Sequence, residues 1–314
     1  MSGHYDTEHS DLRRLPPMRR SPNEGQAIRP EGTQPPVVPP YAGSFTNLFK
    51  DNWQTDAMPA LSEDLDNRPY KIWNKCLAEF VGTCVFVYVG TMNGTVGSSS
   101  GLIGAALAHG FTIFAMVATF GHISGGHFNP AVSLGITLSG KMSPIHLPFY
   151  VVSQLLGGCV GALICRLCST KEMYTQGIGG ATLMNASDAY DWNQGLITEI
   201  MLTAILVTVI LHTAVDTSTN VLAPLAIGLT LSLDICAGGI GTGASMNPAR
   251  SLGPNIMASA FVSFSERQAL HLSYSSSSSI WTYHWIYWVG PFVGAAIAAF
   301  LYRVFFGRNK NRLV

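Results

Sequence analysis

Charge is scarce in this sequence. Asp, Glu, Lys and Arg make up 11% of its 314 residues, against about 25% in soluble domains, and the two signs cancel to a net charge of zero. Such a chain has no broad basic surface for nucleic acid, and none is expected as a partner. Cysteine is also sparse. The six present lie in or at the edges of apolar runs, so no disulfide framework is implied. No apolar core follows the early arginines, which argues against a cleavable signal peptide. Asp6, Glu8 and Asp11 argue against a mitochondrial transit segment. No catalytic constellation, metal site or cofactor is expected, and the chain does not read as an enzyme.

Apolar residues, at 47%, are abundant instead. Six stretches are close to the ~20 residues that cross a bilayer core: residues 76–96, 102–121, 147–168, 195–215, 222–237 and 284–306. The fifth is short in its apolar part and is expected to borrow from the loop before it. Residues 1–70, rich in Pro, Ser and charge, read as a disordered cytoplasmic tail. Within it, Arg19-Arg20-Ser21-Pro22 is a candidate kinase site. The spans occupy residues 71–307, divided into halves 71–170 and 192–307, and 308–314 form a short second tail.

The halves repeat one another. Asn129-Pro130-Ala131-Val132-Ser133-Leu134-Gly135 and Asn247-Pro248-Ala249-Arg250-Ser251-Leu252-Gly253 differ at one position. Asn is a strong N-cap and Pro is favoured at the first helical position, so each string starts a helix, expected to run as far as its Gly. A capping Asn keeps two amide donors for another partner. Both helices are too short to span and follow the second and fifth spans, which makes them re-entrant half-helices. Glu79 precedes Asn129 by 50 positions and Glu199 precedes Asn247 by 48. The third span of each half carries a Gly-xxx-Gly pair, Gly157/Gly161 and Gly290/Gly294, suited to close helix approach. Three spans per half invert the second half relative to the first, a known way to build a permeation site at the midplane.

Lys and Arg cluster before the first span and after the last, which puts both termini in the cytoplasm. Two glycosylation sequons, at Asn93 and Asn185, then fall in extracellular loops. The second half is longer between its half-helix and the last span, where a Ser-rich surplus occupies residues 259–282.

The chain resembles the aquaporin family over roughly residues 70–310. The strings that carry the likeness are Ile123-Ser124-Gly125-Gly126-His127-Phe128-Asn129-Pro130-Ala131-Val132, Gly243-Ala244-Ser245-Met246-Asn247-Pro248-Ala249-Arg250-Ser251 and His284-Trp285-Ile286-Tyr287-Trp288-Val289-Gly290-Pro291. Ala106-Leu107-Ala108-His109-Gly110, Ser153-Gln154-Leu155-Leu156-Gly157-Gly158 and Asp234-Ile235-Cys236-Ala237-Gly238-Gly239 resemble the aquaporin-8 branch.

The resemblance implies an all-α membrane protein, a right-handed bundle of six spans and two half-helices, assembled as a homotetramer with one pore per subunit. It implies that Asn129 and Asn247 meet at the midplane, and that the carbonyls of Gly125, Gly126, His127, Phe128, Gly243, Ala244, Ser245 and Met246 form an acceptor ladder. Glu79 and Glu199 would brace the loops. His109, Ile235, Ala244 and Arg250 would form the selectivity constriction.

From the residues themselves, an intramembrane His or Arg is costly and marks function. For His109 a structural bond to a neighbouring carbonyl is the competing role. Water-selective relatives carry Phe and His where this chain has His109 and Ile235. The change implies a wider neck that passes water, ammonia and hydrogen peroxide. Glycerol channels have Asp where Ser251 stands. A glycerol or small-solute facilitator, and a proton-coupled transporter built on the paired glutamates, are the alternatives. The resemblance points to the plasma membrane, with intracellular and mitochondrial membranes as other locations.

Overall fold

The computed structural model describes residues 69–95, 101–185, 190–216, 220–270 and 280–307. The N-terminal tail with its candidate kinase site, the Ser-rich stretch 271–279 and the end of the chain lie outside the described residues. The chain divides into two units, Met1–Asn67 and Arg68–Val314. The second unit is all-α.

Among its described residues, six helices are long and apolar enough to cross a membrane. They are α1 (Ile72–Thr95), α2 (Gly101–Ser124), α4 (Leu147–Cys168, entered through a 3-10 turn at Pro144–His146), α6 (Trp192–Ile210), α7 (Ala223–Thr242) and α10 (Ile286–Leu301). α6 and α10 close in π-helical turns, Leu211–Val215 and Tyr302–Phe306. Between them lie the half-helices α3 (Pro130–Leu138) and α8 (Pro248–Phe261), and the short α5 (Lys171–Gln176) and α9 (Phe264–Leu270). The spans carry large apolar side chains on their outer faces, among them Ile103, Leu167 and Ile240. Lipid is the solvent those faces suit.

Two boundaries differ from expectation. α7 does not borrow from the loop before it. It starts at Ala223 and extends through Gly238, Gly239 and Gly241 to Thr242, where Gly243 at φ 79° caps it by donating to the Gly239 carbonyl. In an apolar surround a helix satisfies its own backbone, which outweighs the poor helix propensity of Gly. The half-helices likewise continue past Gly135 and Gly253, to Leu138 and Phe261. Those glycines serve packing instead. Gly253 lies against the Gly158 carbonyl of α4, and a Cβ on Gly135 would sit 2.8 Å from Val207 of α6.

Helix contacts follow the duplication. Gly157 and Gly161 of α4 lie against the Phe80 and Cys84 carbonyls of α1, while Gly290 and Gly294 of α10 lie against Glu199 and the Ile200 carbonyl of α6. The second spans of the two halves meet at Gly110 and Gly228. A Cβ on either would lie 2.5 Å from the other's carbonyl oxygen. Each half-helix packs on spans of the opposite half, α3 on α10 and α8 on α4. Interlocking the halves in this way buries both Asn-Pro-Ala starts at the centre of the bundle.

Candidate functional site

Asn129 and Asn247 cap α3 and α8 with extended backbones. Asn129 Oδ1 accepts from Ala131 N at 2.8 Å, and Asn247 Oδ1 accepts from Ala249 N at 2.9 Å and Arg250 N at 3.3 Å. Each side-chain amide then reaches across the site. Asn129 Nδ2 donates to Met246 O at 2.8 Å, and Asn247 Nδ2 donates to Phe128 O at 2.9 Å. One of the two amide hydrogens expected to be spare is therefore used to lock the opposite loop, and one remains. Phe128 and Met246 hold left-handed backbones, φ 50° and 54°, a conformation that costs ~1 kcal/mol or more in a non-Gly residue. These two buried carbonyls of the expected ladder are thus already partnered.

The glutamates hold the loops from behind. Glu79 accepts from His127 N (3.0 Å), Phe128 N (2.6 Å), Ser124 Oγ (2.6 Å) and Gln154 Nε2 (2.8 Å). Glu199 accepts from Ser245 N (2.9 Å), Met246 N (2.7 Å) and Thr242 Oγ1 (2.7 Å). Both are fully buried. Tyrosines close each loop from the third span: Tyr150 donates to Ser124 O and Tyr287 to Thr242 O, both at 2.7 Å. Gln154, which also donates to Ser133 Oγ at 2.8 Å, is a brace that the sequence did not flag. Its repeat equivalent is Tyr287, so the duplication left no matching residue to notice.

The four positions expected to form the constriction come from four elements. Ile235 (α7) and Ala244 (second loop, φ 44°) are buried. His109 on α2 donates from Nδ1 to Ala105 O at 2.8 Å, sets its ring edge-on to Phe86 at 5.5 Å, and lies against Gly90. The carbonyl bond weighed as its structural role is therefore made, and it leaves Nε2 as the other polar atom of the ring. Arg250 of α8 lies within electrostatic reach of His109. Its guanidinium donates to Gly180 O at 3.4 Å and to Thr182 Oγ1.

The 180–182 segment is held in turn by α8. Asn255 Oδ1 accepts from Thr182 N at 2.9 Å and its Nδ2 donates to Thr182 O at 3.2 Å. His284 stands 3.1 Å from Asn255 Nδ2 and accepts at Nε2 from the Trp288 indole N–H at 3.2 Å. Burial lowers the His284 pKa to about 4, so the ring is neutral at ordinary pH. Thr182, Asn255 and this use of His284 had no signal in the sequence, because none has a repeat partner of the same chemistry.

A cavity of about 820 Å³ opens near the start of α1 and ends at Asn129 and Asn247. Gly125, Gly126, His127 and Ser245 of the expected ladder line it, whereas His109, Ile235, Ala244 and Arg250 do not. The cavity thus lies on one side of the two amides, and the four residues expected to form the constriction, with Arg250 bonded to Gly180 and Thr182, lie outside its lining. The sequons sit differently from one another. Asn93 is half-buried in the last turn of α1, with the Thr95 hydroxyl of its sequon buried and donating to Met92 O. Asn185 donates its backbone N–H to Gly241 O at 2.7 Å, beside residues outside those described.

The sequence pattern of the family described as Major intrinsic protein matches residues 67–302. The chain belongs to that family. It is 37% identical to Aquaporin-8 of Rattus norvegicus over 241 residues, 76% of this chain and 84% of that protein. It is 40% identical to Aquaporin TIP1-2 of Musa acuminata over 248 residues, 75% and 88% of the two chains. The X-ray structure of the aquaglyceroporin from Plasmodium falciparum shares the fold, with a TM-score of 0.57 at 23% identity over 74% of this chain and 96% of that one. The protein is accordingly an integral, multi-pass membrane channel and not an enzyme.

Proposed function

We propose that this channel conducts water, ammonia and hydrogen peroxide passively and excludes protons and ions. The observation that carries the reading is the pair of half-helix starts, each ending in an Asn amide with one hydrogen left for a passing oxygen or nitrogen. Two helix N-termini facing one point make a region of positive potential, and Arg250 adds a full charge beyond it. Cations are repelled there, while a neutral molecule accepts from the amides and donates to the loop carbonyls. A water oriented by both amides points its hydrogens away from the next donor, which interrupts a proton wire.

The solute range follows from the neck, in which Ile235 and Ala244 present apolar and small walls beside His109. The glutamates favour a channel over a proton-coupled carrier. Each is fully engaged by backbone and side-chain donors in its own half, so a proton taken up there would displace a loop bond. Glycerol uptake remains the second reading of the neck. In the membrane we place the α1-start end in the cytoplasm, following the Lys and Arg clusters. We assign the assembly as a homotetramer, of plasma or intracellular membranes.

The test is the double variant His109→Phe with Ile235→His in proteoliposomes. It narrows the neck and adds a donor beside Arg250. The ammonia-to-water permeability ratio should fall at least several-fold, with water flux kept within about an order of magnitude because the amides are untouched. A folded, conducting variant with an unchanged ratio means that these residues are not the filter.

A further inference from the structure

Gly157 and Gly161, the contact points of α4 on α1, are followed by Cys165 and Cys168. Steps of four, four and three residues keep to one face of a helix. The duplication does not account for the two thiols. At the same distances beyond Gly290 and Gly294 the last span carries Ala298 and Leu301. Cys165 is buried, Cys168 is exposed, and both are free thiols.

A third sulfur faces them from α1. Ser169 Oγ stands 3.5 Å from Met92 Sδ and 3.9 Å from Cys165 Sγ, so one hydroxyl touches both sulfur atoms. Cys165 Sγ lies 3.7 Å from Thr95 Oγ1, and the Tyr88 hydroxyl reaches Cys168. Tyr88 and Met92, one turn apart on α1, pack against Cys165. Side chains three apart on a helix are neighbours, which brings Cys168 into the same group. Among the described residues no three His, Cys, Asp or Glu side chains come together to hold a metal. The donors here are sulfur alone, two thiols and a thioether. Such a soft set selects monovalent copper over harder divalent ions.

The surrounding charge suits that ion. Thiols bind metal as thiolates, so two protons leave to solvent and a bound monocation leaves one net negative charge. Arg166 stands between the cysteines in the sequence Cys165-Arg166-Leu167-Cys168. Its guanidinium stacks 5.3 Å from the Tyr174 ring and 5.4 Å from that of Phe261, and donates to Ser169 O at 3.3 Å. It forms no salt bridge among the described residues, and its charge offsets that of the loaded site.

We propose that Met92, Cys165 and Cys168 form a binding site for a soft monovalent metal ion, Cu(I) or its congener Ag(I), which ties the last turn of α4 to α1. None of the three lines the cavity beside the Asn pair, so the site stands apart from the conduction reading.

Cu(I) held by bicinchoninate is the probe, offered without oxygen to the reduced full chain in detergent. One Cu(I) per chain should pass from the chelator to the protein. Cys168→Ala, at an exposed position, should weaken uptake at least tenfold. Met92→Leu keeps the apolar bulk and should also weaken it at least tenfold. Single Ala replacements of Cys76, Cys84, Cys159 and Cys236 should leave the affinity unchanged. X-ray absorption at the copper edge should show three sulfur neighbours in the unaltered protein and one fewer in Met92→Leu. Zn(II) at equal concentration should not displace the metal. Absence of uptake, unchanged affinity in Cys168→Ala, a sulfur shell unaffected by Met92→Leu, or displacement by Zn(II) overturns the proposal. Loss of the site in any of the four control variants that remains monodisperse overturns it as well.

Discussion

Asn247 does three things at once, which sets the size of its effect. Its oxygen caps α8, its amide bonds Phe128 O of the other loop, and the residue lines the cavity. Loss of an Asn cap alone costs ~1 kcal/mol, and leaving the buried Phe128 carbonyl unpaired adds ~1–3 kcal/mol. Asn247→Ala should therefore lower both the stability of the folded channel and its water flux, the latter by at least about tenfold. Flux per folded chain, read by stopped flow after size-exclusion chromatography, checks this. Normal flux from well-assembled protein contradicts it.

His284 supplies a pH signature at the same scale. Its folded pKa, about 4, lies below the ordinary value near 6.5, so the unfolded chain binds the proton more readily. The stability held by the neutral ring is fully present above pH 6.5 and is lost as pH falls toward 4. Protonation abolishes the acceptor used by Trp288 and turns a cation toward Asn255, loosening the Thr182 clamp on Arg250. His284→Gln should remove on the order of 2 kcal/mol of this acid sensitivity. Thermal unfolding measured between pH 4 and 7 should show a flatter profile for the variant. The paired motifs and glutamates were legible in the sequence because the duplication prints them twice. Gln154, Thr182, Asn255 and the clamp role of His284 occur once, and their contacts join segments 21 to 75 positions apart in the chain, as for Gln154 with Ser133 and with Glu79.

At the scale of elements, apolar length located all six spans, and cap chemistry located both half-helix starts. The helix ends were harder to read. Gly135 and Gly253 look like stop signals, yet in the interior they are contact points that let one helix backbone lie on another. The same logic gives a sharp contrast along α2. A side chain on Gly110 meets the Gly228 carbonyl of α7, while at Gly121 the nearest atom is a Val117 methyl at 3.7 Å. Gly110→Val and Gly228→Val should each destabilise the bundle by a similar amount, ~2 kcal/mol or more, because each blocks the same seam. Gly121→Ala should be tolerated. The monodisperse fraction after mild heating in detergent ranks the three. Equal tolerance at all positions contradicts the close approach of the two halves.

For the whole molecule, inversion of the halves produces a symmetric frame with unlike ends. The frame was readable from the motif spacing. The unlike ends were only partly so: Arg250 against Val132 is visible in the sequence, but a cavity that Val132 lines and Arg250 does not depends on how loops and spans fill the space around the amides. The Ser-rich surplus shows the same limit. Part of it is accounted for by α8, 14 residues against 9 in α3, and part by α9; residues 271–279 lie outside the described residues. What the frame does is most directly tested by uncoupled conduction. Purified full-length chain should be reconstituted in vesicles carrying a lumenal pH dye, and osmotic shrinkage and lumenal pH followed together under an imposed proton gradient. The account predicts water flux well above that of protein-free vesicles, with proton entry no faster than in those vesicles. Lumenal acidification that depends on the protein, or shrinkage at the protein-free rate, would contradict it.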